Sequence, residues 1–145
     1  MKPTIPSVAL FASLALVGFT SQGKPVDVMP EADECATCAM AVTDVPLSAE
    51  ITLKNGDVKK FDDIGCMAQY VRRKKLLEDK IKGMFVHDLK SERWLPLERA
   101  ILVKSTYPTP MRYGIVAFSS LADAKALPAR YKGKTVTWSS VLKGF

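Results

Sequence analysis

The chain has 145 residues and a mass of 15.9 kDa, with 48% hydrophobic and 25% charged residues, which excludes disorder, a collagen-like repeat and a coiled coil and fits one compact domain. Its 21 Lys and Arg against 15 Asp and Glu give a formal charge of +6, spread over many segments, and no dedicated nucleic-acid-binding arm is formed. Three cysteines are an odd number, so at least one thiol has no intramolecular partner.

Lys2 is the only charge before Lys24, and residues 8–19 between them are an apolar run too short for a membrane span. With Ser21 and Gly23 at minus three and minus one to a cleavage before Lys24, residues 1–23 read as a secretory signal peptide, with an uncleaved membrane anchor as the competing reading. Leu16-Val17-Gly18 resembles the start of a lipoprotein signal, but Phe19 stands where the acylated cysteine belongs, so lipidation there is excluded. Export implies an oxidising compartment, in which Cys35 and Cys38 could rest as a disulfide. Residues 24–34, weakly apolar and containing Pro, Asp and Glu, predict a tether without a core.

Ala49, Ile51 and Leu53 alternate with Glu50, Thr52 and Lys54, which predicts a strand. Asn55-Gly56 then supplies the two positive-φ residues of a type I′ hairpin before a returning strand from Val58, broken at Lys60-Phe61. Asp63 is a good helix cap, and Ile64, Met67, Ala68 and Val71 follow helical spacing to about Glu78, before Lys82-Gly83 stops the helix. A strand over 84–89 completes a β-β-α-β pass. A second begins at Trp94, with strands over 100–104 and Ile115–Phe118 joined by the stiff loop Tyr107-Pro-Thr-Pro-Met111. Ser119 or Ser120 caps a helix from Leu121 to Leu127, followed by a strand over 135–138 and a tail over 139–145. The expected fold is α+β, two β-β-α-β units packed as one domain over residues 35–145.

The chemistry rests on sulfur. Cys35-Ala-Thr-Cys38-Ala-Met40 puts two thiols and a thioether within six residues, a donor set that favours Cu(I), since zinc sites do not use methionine. Haem attachment is excluded because Ala39 stands where a histidine is required. Met111 lies in a stiff loop outside any apolar stripe and is a further candidate ligand, whereas Met67 shares the Ile64-Val71 stripe and reads as core. Cys66, in the first turn of the capped helix, is either a ligand or a buried inert thiol. His87, the only histidine, is placed by alternation opposite Val86 and is either structural or a ligand.

Asp62-Asp63 is explained by capping, and Arg72-Arg73-Lys74-Lys75 by a solvated helix end, with a docking patch for an acidic partner as the alternative. No catalytic triad, phosphate loop or paired carboxylate site is present, which argues against an enzyme. Two other functions compete with a Cu(I) carrier. One is a thiol–disulfide module using Cys35 and Cys38, and the other is a structural zinc site from Cys35, Cys38, Cys66 and His87.

The ordered set Cys35-Ala-Thr-Cys38-Ala-Met40, Phe61-Asp-Asp-Ile-Gly-Cys66-Met67, Phe85-Val-His-Asp88 with Trp94, Pro110-Met111, Ala117-Phe118 and Lys134-Thr-Val-Thr-Trp138 resembles the NosL family of exported copper chaperones. That resemblance implies Cu(I) held by cysteine and methionine, with Cys38, Met40 and Met111 in the family's ligand positions and Cys35, Cys66 or His87 completing the coordination. It also implies a partner, a copper-accepting periplasmic cuproenzyme or its membrane maturation complex, which in this family is nitrous oxide reductase of denitrification. Association with the membrane would then run through residues 1–23. The chain departs from the family pattern at Ala39 and Arg112, where glycine is usual, so side chains are expected to crowd both ligand loops.

Overall fold

The computed structural model describes residues 23–131 and 133–144; the expected leader falls outside the described residues except for Gly23. Seven strands, β1 (Ala49–Leu53), β2 (Val58–Phe61), β3 (Ile81–His87), β4 (Trp94–Pro96), β5 (Ile101–Lys104), β6 (Ile115–Phe118) and β7 (Lys134–Val136), combine with helices α1 (Ile64–Lys74), α2 (Leu121–Lys125) and α3 (Trp138–Lys143). They form two antiparallel sheets, β2-β1-β3-β4 and β6-β5-β7. The expected α+β class and its two β-β-α-β units are present. In each unit the first strand is central, flanked by its hairpin partner and by the strand that returns after the helix. No helix among the described residues is long and apolar enough to cross a membrane.

One continuous core joins the buried face of α1 (Ile64, Met67, Ala68, Val71) to Ala49, Ile51, Phe61 and Val86 of the first sheet and to Leu102, Ile115 and Ala117 of the second. The opposite face of the second sheet, Val103, Val116 and Phe118, packs on Ala124 and Leu127. A sheet covered on both sides has no polar face, which is why Ile101-Leu-Val103 and Ile115–Phe118 read as unbroken apolar runs. The two sheets are tied where Asp88 bridges Ala117 and the N–H of Leu89 donates to the Ala117 carbonyl at 2.9 Å. Against its own burial, Asp88 is drawn down to about 2 by hydrogen bonds from Ser119, Ser91 and Lys90.

The second pass, expected to begin at Trp94, begins at β5 instead: Trp94–Pro96 is β4, the edge strand of the first sheet, where Trp94 pairs with His87. The structure departs from the sequence-based expectation at five further places, each for a local reason. The β1–β2 turn is a three-residue loop, not type I′: Leu53 N–H reaches Asp57 O at 2.8 Å, Gly56 N–H reaches Leu53 O at 3.0 Å, and of Asn55 and Gly56 only Gly56 has positive φ (94°). Helix α1 stops at Lys74, short of Glu78, because Lys75 turns left-handed (φ 47°) and Leu76 N–H folds back to Val71 O at 3.0 Å. Gly83, expected to stop the helix, lies inside β3. Trp138 opens a helix in place of the expected strand end and tail, because Thr137 Oγ1 accepts the N–H of Ser140 at 3.2 Å.

The fifth difference concerns residues 24–34, expected to lack a core. From Val26 they are laid across the Glu50-Lys60-Phe85 face of the first sheet. Val26 N–H binds Glu50 Oε2 at 3.0 Å, Lys60 Nζ binds Asp27 O at 2.7 Å and Asp33 Oδ2 at 2.6 Å, and Val28 is buried. The polar side of β1 is therefore covered, and Glu50 is fully buried with Thr52 Oγ1 donating to it at 3.0 Å.

Candidate metal centre

Three local devices bring the cysteines together. The segment 35–40 is a tight loop closed by the Glu34–Ala41 bridge, by Cys35 N–H to Met40 O at 2.8 Å and by Ala39 N–H to Cys35 O at 2.9 Å. It is fixed to the end of β2 by Ala36 N–H to Lys60 O at 2.8 Å and to α1 by Thr37 Oγ1 to Cys66 O at 2.7 Å. Asp63 caps α1 as expected, Oδ1 accepting Cys66 N–H at 2.8 Å, and this sets the first helical turn that carries Cys66.

Cys35, Cys38, Asp62 and Cys66 each present a donor atom, and the four atoms lie within 4.8 Å of one another. All three cysteines are free thiols, Cys35 and Cys66 buried and Cys38 half-buried. Asp62 is the member of the cluster that sequence reasoning misses, since it reads as a capping residue along with Asp63. One acid suffices to cap a helix, and Asp62 turns to the sulfur cluster, its Oδ2 accepting from Cys38 Sγ at 3.3 Å. A carboxylate left over beside a filled cap was the available signal.

The cluster is electrostatically uneven. The Cys66 S–H donating to Cys35 Sγ, with backbone N–H groups of Asp62, Cys38 and Thr37, draws the Cys35 thiol down to about 6 despite its burial. Burial, with the hydrogen bonds to Cys35 and Asp62, pushes Cys38 up to about 11. Its bond to Cys35, burial and the neighbouring Asp62 hold Cys66 far above the ordinary thiol range. The metal-free cluster therefore holds its sulfur charge on Cys35, and binding a cation displaces the protons of the other thiols it engages. Asp62 Oδ1 is buried without a hydrogen-bond partner among the described residues and is available to a cation. Three sulfurs and one carboxylate suit Cu(I) or Zn(II).

Met40 (56% exposed) closes the Cys35 loop through its backbone carbonyl, and Met111 (37% exposed) is tied by a hydrogen bond from its N–H to Asp63 Oδ2 at 3.2 Å, Asp63 being the neighbour of Asp62 in the chain. Thr109 also donates to Asp63, and its Oγ1 accepts Gly114 N–H at 3.1 Å, so the loop is braced on both sides of Met111. His87 lies outside the cluster, opposite Val86 as alternation requires. Its Nδ1 is 3.1 Å from Ser48 Oγ, its ring stacks on Trp94 at 3.7 Å between centroids, and burial lowers its pKa. Met67 is fully buried in the core. Ala39 and Arg112 both have φ 59°, so these side chains burden their loops through left-handed backbone.

A crystal structure titled as the copper chaperone NosL from Shewanella denitrificans superposes with a TM-score of 0.68 at 22% identity, covering 82% of this chain and 95% of that one. That similarity establishes the shared fold. A search of curated proteins finds no match. The sequence pattern of NosL matches residues 25–144, which takes in every element described above and all four donors of the cluster, and the chain therefore belongs to the NosL family.

Proposed function

We propose that the chain is an exported, non-enzymatic carrier of Cu(I) that hands the ion to a periplasmic cuproenzyme or its membrane maturation complex, nitrous oxide reductase being the acceptor the family resemblance implies. The observation that carries this reading is the convergence of Cys35, Cys38, Cys66 and Asp62 within 4.8 Å, with a buried Asp62 oxygen that has no partner among the described residues; exposed Met40 and Met111, in the two neighbouring loops, are the rim donors of this reading. The Cys35 thiolate attracts the cation, and Cys38, the least buried thiol, exchanges its proton for the metal. The rim thioethers are neutral soft donors open to solvent, so an acceptor's ligands can attack before the carrier's leave.

The test is an anaerobic Cu(I) titration against a competing chelator. One equivalent should bind tightly, and Cys38→Ser and Met111→Ala should each weaken it. Unchanged affinity in both variants refutes the assignment. The same sulfur and oxygen donors are acceptable to zinc, and this favours one second reading, a structural Zn(II) site without His87; metal analysis of the protein as isolated and competition between the two ions decide between them. A thiol–disulfide module fits less well, because its low-pKa thiol, Cys35, is only 1% exposed and sits in a loop instead of at a helix N-terminus.

A further inference from the structure

The loop that carries Cys38 and the loop that carries Met111 meet neighbouring stripes of α1, and beside each lies a shallow cationic pocket. One, of about 240 Å³, is lined by Ala36 and Thr37 of the cysteine loop with Tyr70, Arg73 and Lys74. The other, of about 230 Å³, lies where Gly65 and Arg72 face Arg112 and Tyr113 of the methionine loop. Among the described residues, no carboxylate side chain lines either pocket. Helix α1 contains no acidic residue, and among the described residues Arg73, Lys74 and Arg112 have no salt-bridge partner, although the fold pairs Lys60 and Lys90 with aspartates elsewhere. Helical spacing accounts for the placement: Cys66, Tyr70 and Arg73 share one stripe of α1, and Gly65, Ala68 and Arg72 the next.

Where the chain leaves the described fold is a second observation. Gly23 lies against the Lys82 side chain, at the end of β1 where Leu53 pairs with Ile81. Asp62 follows Phe61 at the other end, where Phe61 pairs with Ala49. Five residues of strand, roughly 13 Å, separate the two ends. The described chain thus begins at the end of the first sheet opposite the cluster.

We infer that the rim formed by Arg73, Lys74 and Arg112 is the docking face for an acidic protein surface, whose carboxylates enter the two pockets and bring its own soft ligands over Cys38 and Met111. The inference rests on the carrier reading for what the partner receives, but not for the partner's charge. Rim charges of this kind act chiefly on encounter rate and salt dependence.

The experiment uses the purified metal-free protein and fluorescence anisotropy of two labelled peptides, one rich in Asp and Glu and one with Asn and Gln in their place. The acidic peptide should bind about tenfold more tightly at low ionic strength, with the preference fading as salt is added. The double reversal Arg73→Glu with Lys74→Glu, and separately Arg112→Glu, should remove most of that preference, while reversing two exposed lysines elsewhere, Lys82→Glu with Lys125→Glu, should leave most of it. Equal binding of the two peptides, or equal loss from rim and distant reversals, overturns the proposal. So does sedimentation with phosphatidylglycerol-containing vesicles that depends on the rim cations while peptide binding does not. Because no metal is present, failure of the Cu(I) titration and failure of this test are separate results, and far-UV circular dichroism confirms that each variant is folded.

Discussion

Asp63 binds the backbone N–H of Met111 at 3.2 Å through Oδ2, while its Oδ1 takes the N–H of Cys66 at 2.8 Å. One buried carboxylate thus caps the helix that carries a thiol and anchors the loop that carries a thioether. Asparagine caps as well as aspartate but would turn an amide N–H toward Met111 N–H. Asp63→Asn should therefore keep α1, lose about 1 kcal/mol from the loop contact and lower copper affinity, whereas Asp63→Ala should lose the cap as well, about 1 kcal/mol more. Urea unfolding gives the stabilities. In a double-mutant cycle, Met111→Ala should affect Cu(I) affinity less in the Asp63→Asn background than in the wild type, and full additivity would show that Asp63 does not position Met111.

The metal-free reduced protein should form one thiolate with a midpoint near pH 6, read from thiolate absorbance in the ultraviolet. Cys35→Ser should abolish that step. Cys66→Ala removes the S–H that donates to Cys35, so the midpoint should move upward; a downward move would mean that Cys66 is not the donor.

Among the described residues Asp62 holds a buried oxygen without a partner, a destabilising feature that a bound cation would relieve. Asp62→Asn, which keeps the side chain's shape but makes it a weaker cation ligand, should leave the metal-free protein at least as stable and weaken its hold on Cu(I). Thermal unfolding with and without Cu(I) reads both effects, and a variant less stable in the metal-free form would contradict the role given to this carboxylate.

Ala39 sits at φ 59°. Glycine there relieves the left-handed strain but adds freedom to the unfolded chain, so Ala39→Gly should be neutral to stabilising by up to about 1 kcal/mol, while β-branched Ala39→Val should lose about 1 to 3 kcal/mol. Denaturant midpoints rank the three proteins, and valine tolerated as well as alanine would mean that the loop does not need this backbone geometry.

His87 is buried, and burial lowers its pKa below its ordinary 6.5. Below about pH 6.5 the unfolded chain takes up a proton that the folded chain refuses, so this residue's contribution to stability is present above that pH and is lost as the pH falls toward the folded-state pKa. His87→Phe keeps a ring to stack on Trp94, and Ser48 Oγ keeps Val45 O at 2.7 Å. Between pH 7.5 and 5 the variant should therefore show a shallower fall in urea midpoint than the wild type, the two being compared so that the Cys35 thiolate cancels. Identical slopes would assign the pH dependence to other groups.

Much of this was legible in the sequence where a residue's chemistry is local. Asp63 announces a cap, the Ile64-Met67-Val71 stripe announces a helix face, and Cys35-Ala-Thr-Cys38-Ala-Met40 announces soft-metal chemistry without reference to the rest of the chain. What was not legible depended on contacts made across the fold. Glu50 and Thr52 alternate like a solvated face, yet the segment from Val26 covers them. Thr135-Val-Thr-Trp138 has β-prone residues throughout, and only the Thr137–Ser140 hydrogen bond turns the chain into α3. Whether Cys66 would join the sulfur cluster or the core was not legible because it does both, 1% exposed and within 4.8 Å of the other donors.

The two β-β-α-β units match strand for strand, and even Phe61-Asp-Asp63 before α1 has its counterpart in Phe118-Ser-Ser120 before α2. The hairpin connections differ. Between β1 and β2 the chain turns in three residues, whereas between β5 and β6 it runs through residues 105–114 and lays Met111 against the other unit's helix. The clustered thiols and Met111 therefore sit in different halves of the fold: all three thiols lie in the first, Met111 in an expanded turn of the second, and that turn can change in length or sequence without disturbing a single buried sulfur.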